Sequence, residues 1–162
     1  MKRGILCVVL LALLIGACGK QEEAEKDVLM GKLTMAEVYA SSPKFRQNSE
    51  RSRPDEAVVQ RLRAIQRHIT FRVFLGTWCS DSEEHVPPFE VLMEEVKNPF
   101  FVVEYYGVNR DMCDGIRMAR SHNIQYVPTF VLLEKNKEIG RIVETPQVSI
   151  GKDILNILEG GV

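Results

Sequence analysis

Two β-prone runs, Phe71-Arg72-Val73-Phe74-Leu75 and Phe100 to Tyr106, are separated by Ser80 to Lys97, where Val86, Phe89, Val91, Leu92 and Val96 recur at roughly helical spacing. Two strands joined through a helix lie parallel, because a crossover of that length returns the chain to the same end of the sheet. This pattern commits the chain to an α/β fold whose helices cover a sheet. Pro87 and Pro88 are expected to kink the crossover helix. Asp111 to Ser121 reads as a further helix. Thr129 to Leu133 and Ile139 to Glu144 flank Lys135-Asn136-Lys137 as an antiparallel hairpin, and Ile150, Ile154, Ile157 and Leu158 share one face of a last helix. The expected architecture is a three-layer α/β sandwich around a central mixed β-sheet.

Upstream lies an expected helical extension over residues 33–68. Thr34-Met35-Ala36-Glu37 matches a capping box that opens a short helix. Ser41 to Arg53 is a polar connection. Pro54 then stands where a first helical residue belongs, and Val58, Leu62, Ile65 and Ile69 predict a helix over about 54–68.

The N-terminus reads as an address. Met1 to Arg3 carries two positive charges, and Gly4 to Ala17 follows without a charged or amide side chain, shorter than the roughly twenty residues that cross a hydrocarbon core. Leu14-Ile15-Gly16-Ala17-Cys18 resembles the lipobox of bacterial lipoproteins. The resemblance implies a signal peptide over 1–17, cleavage before Cys18, and lipid on Cys18 as the membrane anchor. It places the chain at the bacterial cell envelope, on the periplasmic face in a Gram-negative cell. A plain secretory signal ending near a cysteine is the alternative. Cys7 would be discarded with the signal. Residues 18–32, rich in Gln, Glu, Lys and Asp, read as anchor and flexible tether. Gly19 after the anchor resembles the pattern that favours the outer membrane in enteric bacteria.

With 21 basic against 22 acidic residues, the chain has no clustered positive charge to draw it to nucleic acid, and cleavage of Lys2 and Arg3 makes it slightly more acidic. Four cysteines in 162 residues are too few for a disulfide-stapled scaffold. An apolar fraction of 45% is enough for one sound core.

The chemistry concentrates at Trp78-Cys79-Ser80-Asp81-Ser82, directly after a strand and at the start of a helix. A cysteine there faces unsatisfied backbone N–H groups and the positive end of the helix dipole, which favour thiolate over thiol. The negative charge of Asp81, two residues on, acts in the opposite direction.

Here the chain resembles the thioredoxin family over about residues 68 to 160. The order of strand, Trp78-Cys79, and helix with Pro87 eight residues after the cysteine follows that family, and Val127-Pro128-Thr129 resembles its cis-proline loop. The resemblance implies a thioredoxin-like domain over 69–162 in which Cys79 is the nucleophile and Pro128 a cis residue. Val127 and Thr129 would help dock an extended substrate, with Trp78 flanking the groove. Two positions depart from the pattern. Ser82 replaces the second cysteine of C-x-x-C, and Val73 stands where the family places a buried acid. A serine cannot resolve a mixed disulfide; Ser82 can at most donate a hydrogen bond to the Cys79 thiolate. Cys113, just after the second strand, is either a resolving thiol or a small, part-buried apolar residue at a helix start.

The remaining candidates are weaker. His85 lies six positions beyond Cys79 and reads as surface or packing, and His68 and His122 as solvated or capping side chains. Without a second cysteine the chain lacks the paired-thiol ligand set of the copper-delivering thioredoxin relatives, so no metal is expected, and no organic cofactor is implied. Arg51, Arg53, Arg61, Arg63 and Arg67 read as a solvated face. The expected function is an envelope-tethered monothiol oxidoreductase acting on envelope protein thiols or disulfides with a thiol reductant. The alternative is a non-catalytic lipoprotein whose groove binds a partner peptide or assists assembly.

Overall fold

The computed structural model describes residues 28–160. The signal peptide, Cys7, Cys18 and most of the expected tether lie outside them. The elements run β1 (Gly31–Leu33), α1 (Met35–Ser41), α2 (Pro43–Arg51), α3 (Glu56–Arg63), β2 (Ile69–Leu75), α4 (Ser80–Val96), β3 (Phe101–Gly107), α5 (Met118–Ser121), β4 (Thr129–Glu134), β5 (Lys137–Val143) and α6 (Ile150–Leu158). The five-stranded sheet has the order β1-β3-β2-β4-β5. Its β2–β3 pair is parallel and the other pairs antiparallel, so the sheet is mixed.

Alternation along the strands sorts the side chains into two cores. Phe71, Val73, Phe130 and Leu132 face the larger one, which they share with Val38, Phe45, Leu62, Phe89 and Ile154 from the helices. Phe74, Tyr106, Val131 and Leu133 face a smaller one with Val108, Ala119, Ile124 and Val127. Trp78 and Cys79 pack against this second core. The helix that starts at Cys79 therefore lies over one core while its first residues lean on the other.

α4 runs unbroken through Pro87 and Pro88. The hairpin turn uses Lys135 and Asn136, both at positive φ, as a two-residue connection that matches the strand twist requires. The capping box at Thr34 and Glu37 forms, with Thr34 N donating to Glu37 Oε2 at 2.8 Å.

Four local expectations are corrected. Pro43–Arg51, expected as a polar connection, is a helix: Ser42 caps it, Pro43 occupies its first turn, and Phe45 is its one fully buried anchor. The helix expected over 54–68 ends at Arg63, and Ile69 begins β2. Gly31 and Lys32, read as the end of a tether, belong to an edge strand paired with β3. Helix 111–121 shrinks to Met118–Ser121, because side chains claim the backbone donors that a helix would use. Asn109 Oδ1 accepts from Asp111 N at 3.0 Å and Cys113 N at 2.9 Å, and the Asp114 carboxylate accepts from Ile116 N and Ala119 N.

On the outer part of the smaller face, Arg72 bonds Glu104 at 3.0 Å and contacts His122 Nε2 at 2.9 Å. An arginine only donates, so His122 Nε2 accepts and the ring is neutral. Burial, and then the Arg72 guanidinium, push the His122 imidazole below its ordinary value. Below pH of about 6.5 the unfolded chain then binds a proton that the folded chain resists, so this site favours folding at neutral pH and loses that contribution on acidification. The expected result is a urea midpoint that falls between pH 7 and about 5.5, with a shallower fall in His122→Gln.

Candidate functional site

Cys79 is the N-cap residue of α4, in extended backbone, and its side chain does not cap the helix. Its N–H donates to Gly76 O at 3.0 Å, and its carbonyl accepts from Glu83 N at 3.1 Å. The thiol is left free to point sideways, where Sγ donates to Val127 O at 3.2 Å. The Val127–Pro128 peptide bond is cis. Two residues 48 positions apart thus meet where the nucleophile candidate faces the proline loop.

Trp78 is fixed by an indole N–H bond to Val108 O at 2.9 Å. The Arg110 guanidinium lies 4.6 Å from the centre of its ring, within the range of a cation–π contact. Below the ring, a Cβ placed on Gly76 would approach Trp78 Cε2 to 2.7 Å, so glycine is required for the indole to lie where it does. Gly76→Ala is expected to displace the indole. Trp78 is the sole tryptophan, so a shifted emission spectrum reads the change directly.

Ser82 is fully buried, and its hydroxyl accepts from Gly76 N at 3.1 Å. A Ser82–Cys79 hydrogen bond, the most the sequence allows Ser82, is absent among the described residues, and Ser82 holds the turn between β2 and α4. The start of the helix sets this direction: three residues past the N-cap, Ser82 faces back towards Gly76, while the Cys79 thiol turns to Val127.

Thr129 is buried, and its hydroxyl donates to Tyr126 O at 2.7 Å. Its side chain closes the proline loop and is not presented to a ligand. Val127 is also buried and offers its backbone carbonyl. Tyr126, by contrast, is 55% exposed on this loop, and its position was not singled out from the sequence.

Cys113 is exposed, and its Sγ faces Asp111 O at 3.7 Å. Cys79 and Cys113 are both free thiols. The loop that carries Cys113 passes the tryptophan, as Val108 and Arg110 show. It is held by Asn109, whose side chain accepts two backbone N–H groups; the cue in the sequence was an Asn two residues past a strand, the start of an Asx turn. His85 is half-buried on α4, His68 is exposed with its ring edge-on to Phe100, and His122 belongs to the Arg72 cluster. Among the described residues, no group of three or more His, Cys, Asp or Glu converges as a metal site.

The arrangement joins a thiol at a helix start, an acceptor carbonyl beside a cis-proline and an aromatic wall. It can bring an external sulfur to Cys79 while an extended peptide lies along the loop. A family model described as Thioredoxin matches residues 33–151. A thioredoxin of Mycoplasmopsis pulmonis (strain UAB CTIP) is 28% identical over 76 residues, covering 46% of this chain and 70% of that protein. Among solved structures, a protein of unknown function from Pseudomonas aeruginosa, PA1234, superposes with a TM-score of 0.56 at 21% identity, covering 80% of this chain and 88% of that one. An HIV epitope-scaffold superposes with a TM-score of 0.54 at 23% identity, covering 81% and 84%. These two structures share the fold.

Proposed function

The chain belongs to the thioredoxin family, and from that premise we propose that it is a thiol–disulfide oxidoreductase that works with the single nucleophile Cys79, tethered to the cell envelope by lipid on Cys18. The observation that carries the proposal is the 3.2 Å contact between Cys79 Sγ and Val127 O at the cis Val127–Pro128 bond. It sets the reactive sulfur against the backbone that would align a peptide.

The cycle needs no second cysteine at position 82. Cys79 gives its proton to solvent, and the thiolate attacks one sulfur of a substrate disulfide. The substrate S–S bond breaks, and its other sulfur leaves as a thiolate that takes up a proton. A reductant thiol then attacks the mixed disulfide and frees the second substrate sulfur as Cys79 becomes joined to the reductant. A second reductant thiol restores Cys79, leaving the reductant as a disulfide. Loss of the thiol proton also removes the donor now on Val127 O, so that carbonyl becomes free to accept from a substrate N–H. Cys113 could serve as the second attacking thiol; its exposure and its turn towards Asp111 O favour the external thiol. Insulin reduction with excess dithiothreitol tests the cycle: turnover that survives in Cys113→Ser supports the external route, and turnover lost in that variant assigns resolution to Cys113.

The proposed substrates are thiols or disulfides of envelope proteins. A second reading, a scaffold that holds a partner peptide, draws on Val73 and Ser82, which are both fully buried structural residues at positions where the family pattern has chemistry. Partner capture and cellular phenotype retained by Cys79→Ala would favour that reading, and loss of both would favour chemistry.

A further inference from the structure

The chain enters the fold beside its own reactive cysteine. Leu29 N donates to Thr77 Oγ1 at 3.3 Å, two residues before Cys79. The Leu29 carbonyl lies so close over Gly107 that a Cβ there would sit 2.2 Å from it. Gly107 ends β3, pairs with Gly31 on one side and Leu75 on the other, and precedes Val108, the residue that holds Trp78. β1 starts at this end of the sheet and runs away from it, antiparallel to β3. Val28, the first described residue, therefore lies at the pole that carries Trp78 and Cys79.

The end of α6 lies at the opposite pole. Arg67, two residues before β2 begins, donates to Leu158 O at 2.7 Å, so the end of α6 sits beside the start of β2. Seven residues of β2 separate the poles by roughly 20 Å. The first and last described residues are thus on opposite sides of the domain, with the cysteine near the first.

Resting on the reading of Cys18 as the lipid anchor, we infer that the domain hangs from the membrane by its active-site pole, so that Cys79 works on thiols and disulfides displayed at the lipid surface by membrane-bound proteins. Ten residue steps join Cys18 to Val28, a contour of at most about 36 Å. Cys79 is held within about that reach of the headgroups, while the end of α6 lies farther out.

Trp78, as the sole tryptophan, reports the height of the site above the membrane without any reliance on redox chemistry. The described elements and both cores lie within residues 28–160, all of which a chain starting at Gly19 retains. That chain is attached to phosphatidylcholine–phosphatidylglycerol vesicles containing nickel-chelating lipid and dansyl-phosphatidylethanolamine, through a hexahistidine placed before Gly19 or after Val162. The full-length chain, purified from membranes, is reconstituted in vesicles with the same dansyl lipid. The expected result is at least twofold greater energy transfer from Trp78 to dansyl for N-terminal than for C-terminal attachment, with the full-length chain behaving as the N-terminal form. Equal transfer, or more from the C-terminal form, overturns the inference. A full-length chain that does not float with vesicles overturns the anchoring reading and this inference with it, whereas flotation with equal transfer overturns the inference alone.

Discussion

Cys79→Ser is expected to reduce disulfide turnover by three orders of magnitude or more, because a serine alkoxide is not available at neutral pH to replace a thiolate nucleophile. The substitution changes one atom at a part-exposed N-cap, where serine is itself a favoured cap, so thermal stability and far-UV circular dichroism are expected to stay near those of the parent. The pair of readouts separates chemistry from folding. The same assay applied to Ser82→Ala should show a different pattern. Ser82 accepts from the buried Gly76 N–H, and losing that acceptor costs about 1–3 kcal/mol of stability.

Phe89→Ala is expected to destabilise the fold by about 3–5 kcal/mol, a large part of a stability that for such domains is about 5–15 kcal/mol, and to lower Tm by on the order of 10 °C. Phe89 is fully buried on α4 and meets Phe71 at 5.7 Å and Phe130 at 5.2 Å between ring centres. It therefore binds α4, which Cys79 caps, to the central strand β2 and its neighbour β4. Chemical denaturation with tryptophan emission as one probe and circular dichroism as another measures the loss. A change below about 1 kcal/mol would mean that α4 is held chiefly by its contacts with α2 and α3 instead.

The central crossover was legible because its parts differ in period: β-branched and aromatic runs bracket a stretch with apolar residues at helical spacing. The hairpin was legible for the same reason, and Lys135-Asn136 supplied its turn. α2 was hidden because only Phe45 is buried on it, so no stripe appears, although Ser42-Pro43 carries the start signal. β1 was hidden because a three-residue edge strand takes its stability from β3, which no local pattern records. The loop at 109–117 misled because Asn and Asp side chains capture donors that a helix would need, an outcome decided by tertiary placement.

The candidate site divides in the same way. Trp78, Cys79 and Pro128 could be singled out by their order and resemblance, and the structure brings Cys79 onto the proline loop. The functions of Ser82 and Thr129 depend on where their hydroxyls point, and both point into the protein. Arg110 over Trp78, and the passage of Leu29 beside Thr77, are long-range contacts with no sequence signature.

In the proposed cycle Cys79 is the sulfur that attacks. The direct measurement is mass spectrometry of the chain after brief reaction with a disulfide-linked peptide, followed by acid quench and proteolysis. The expected product is a mixed disulfide on Cys79, formed first and removed by added thiol. An adduct confined to Cys113, or a Cys79 that remains unmodified while the disulfide is consumed, would contradict it.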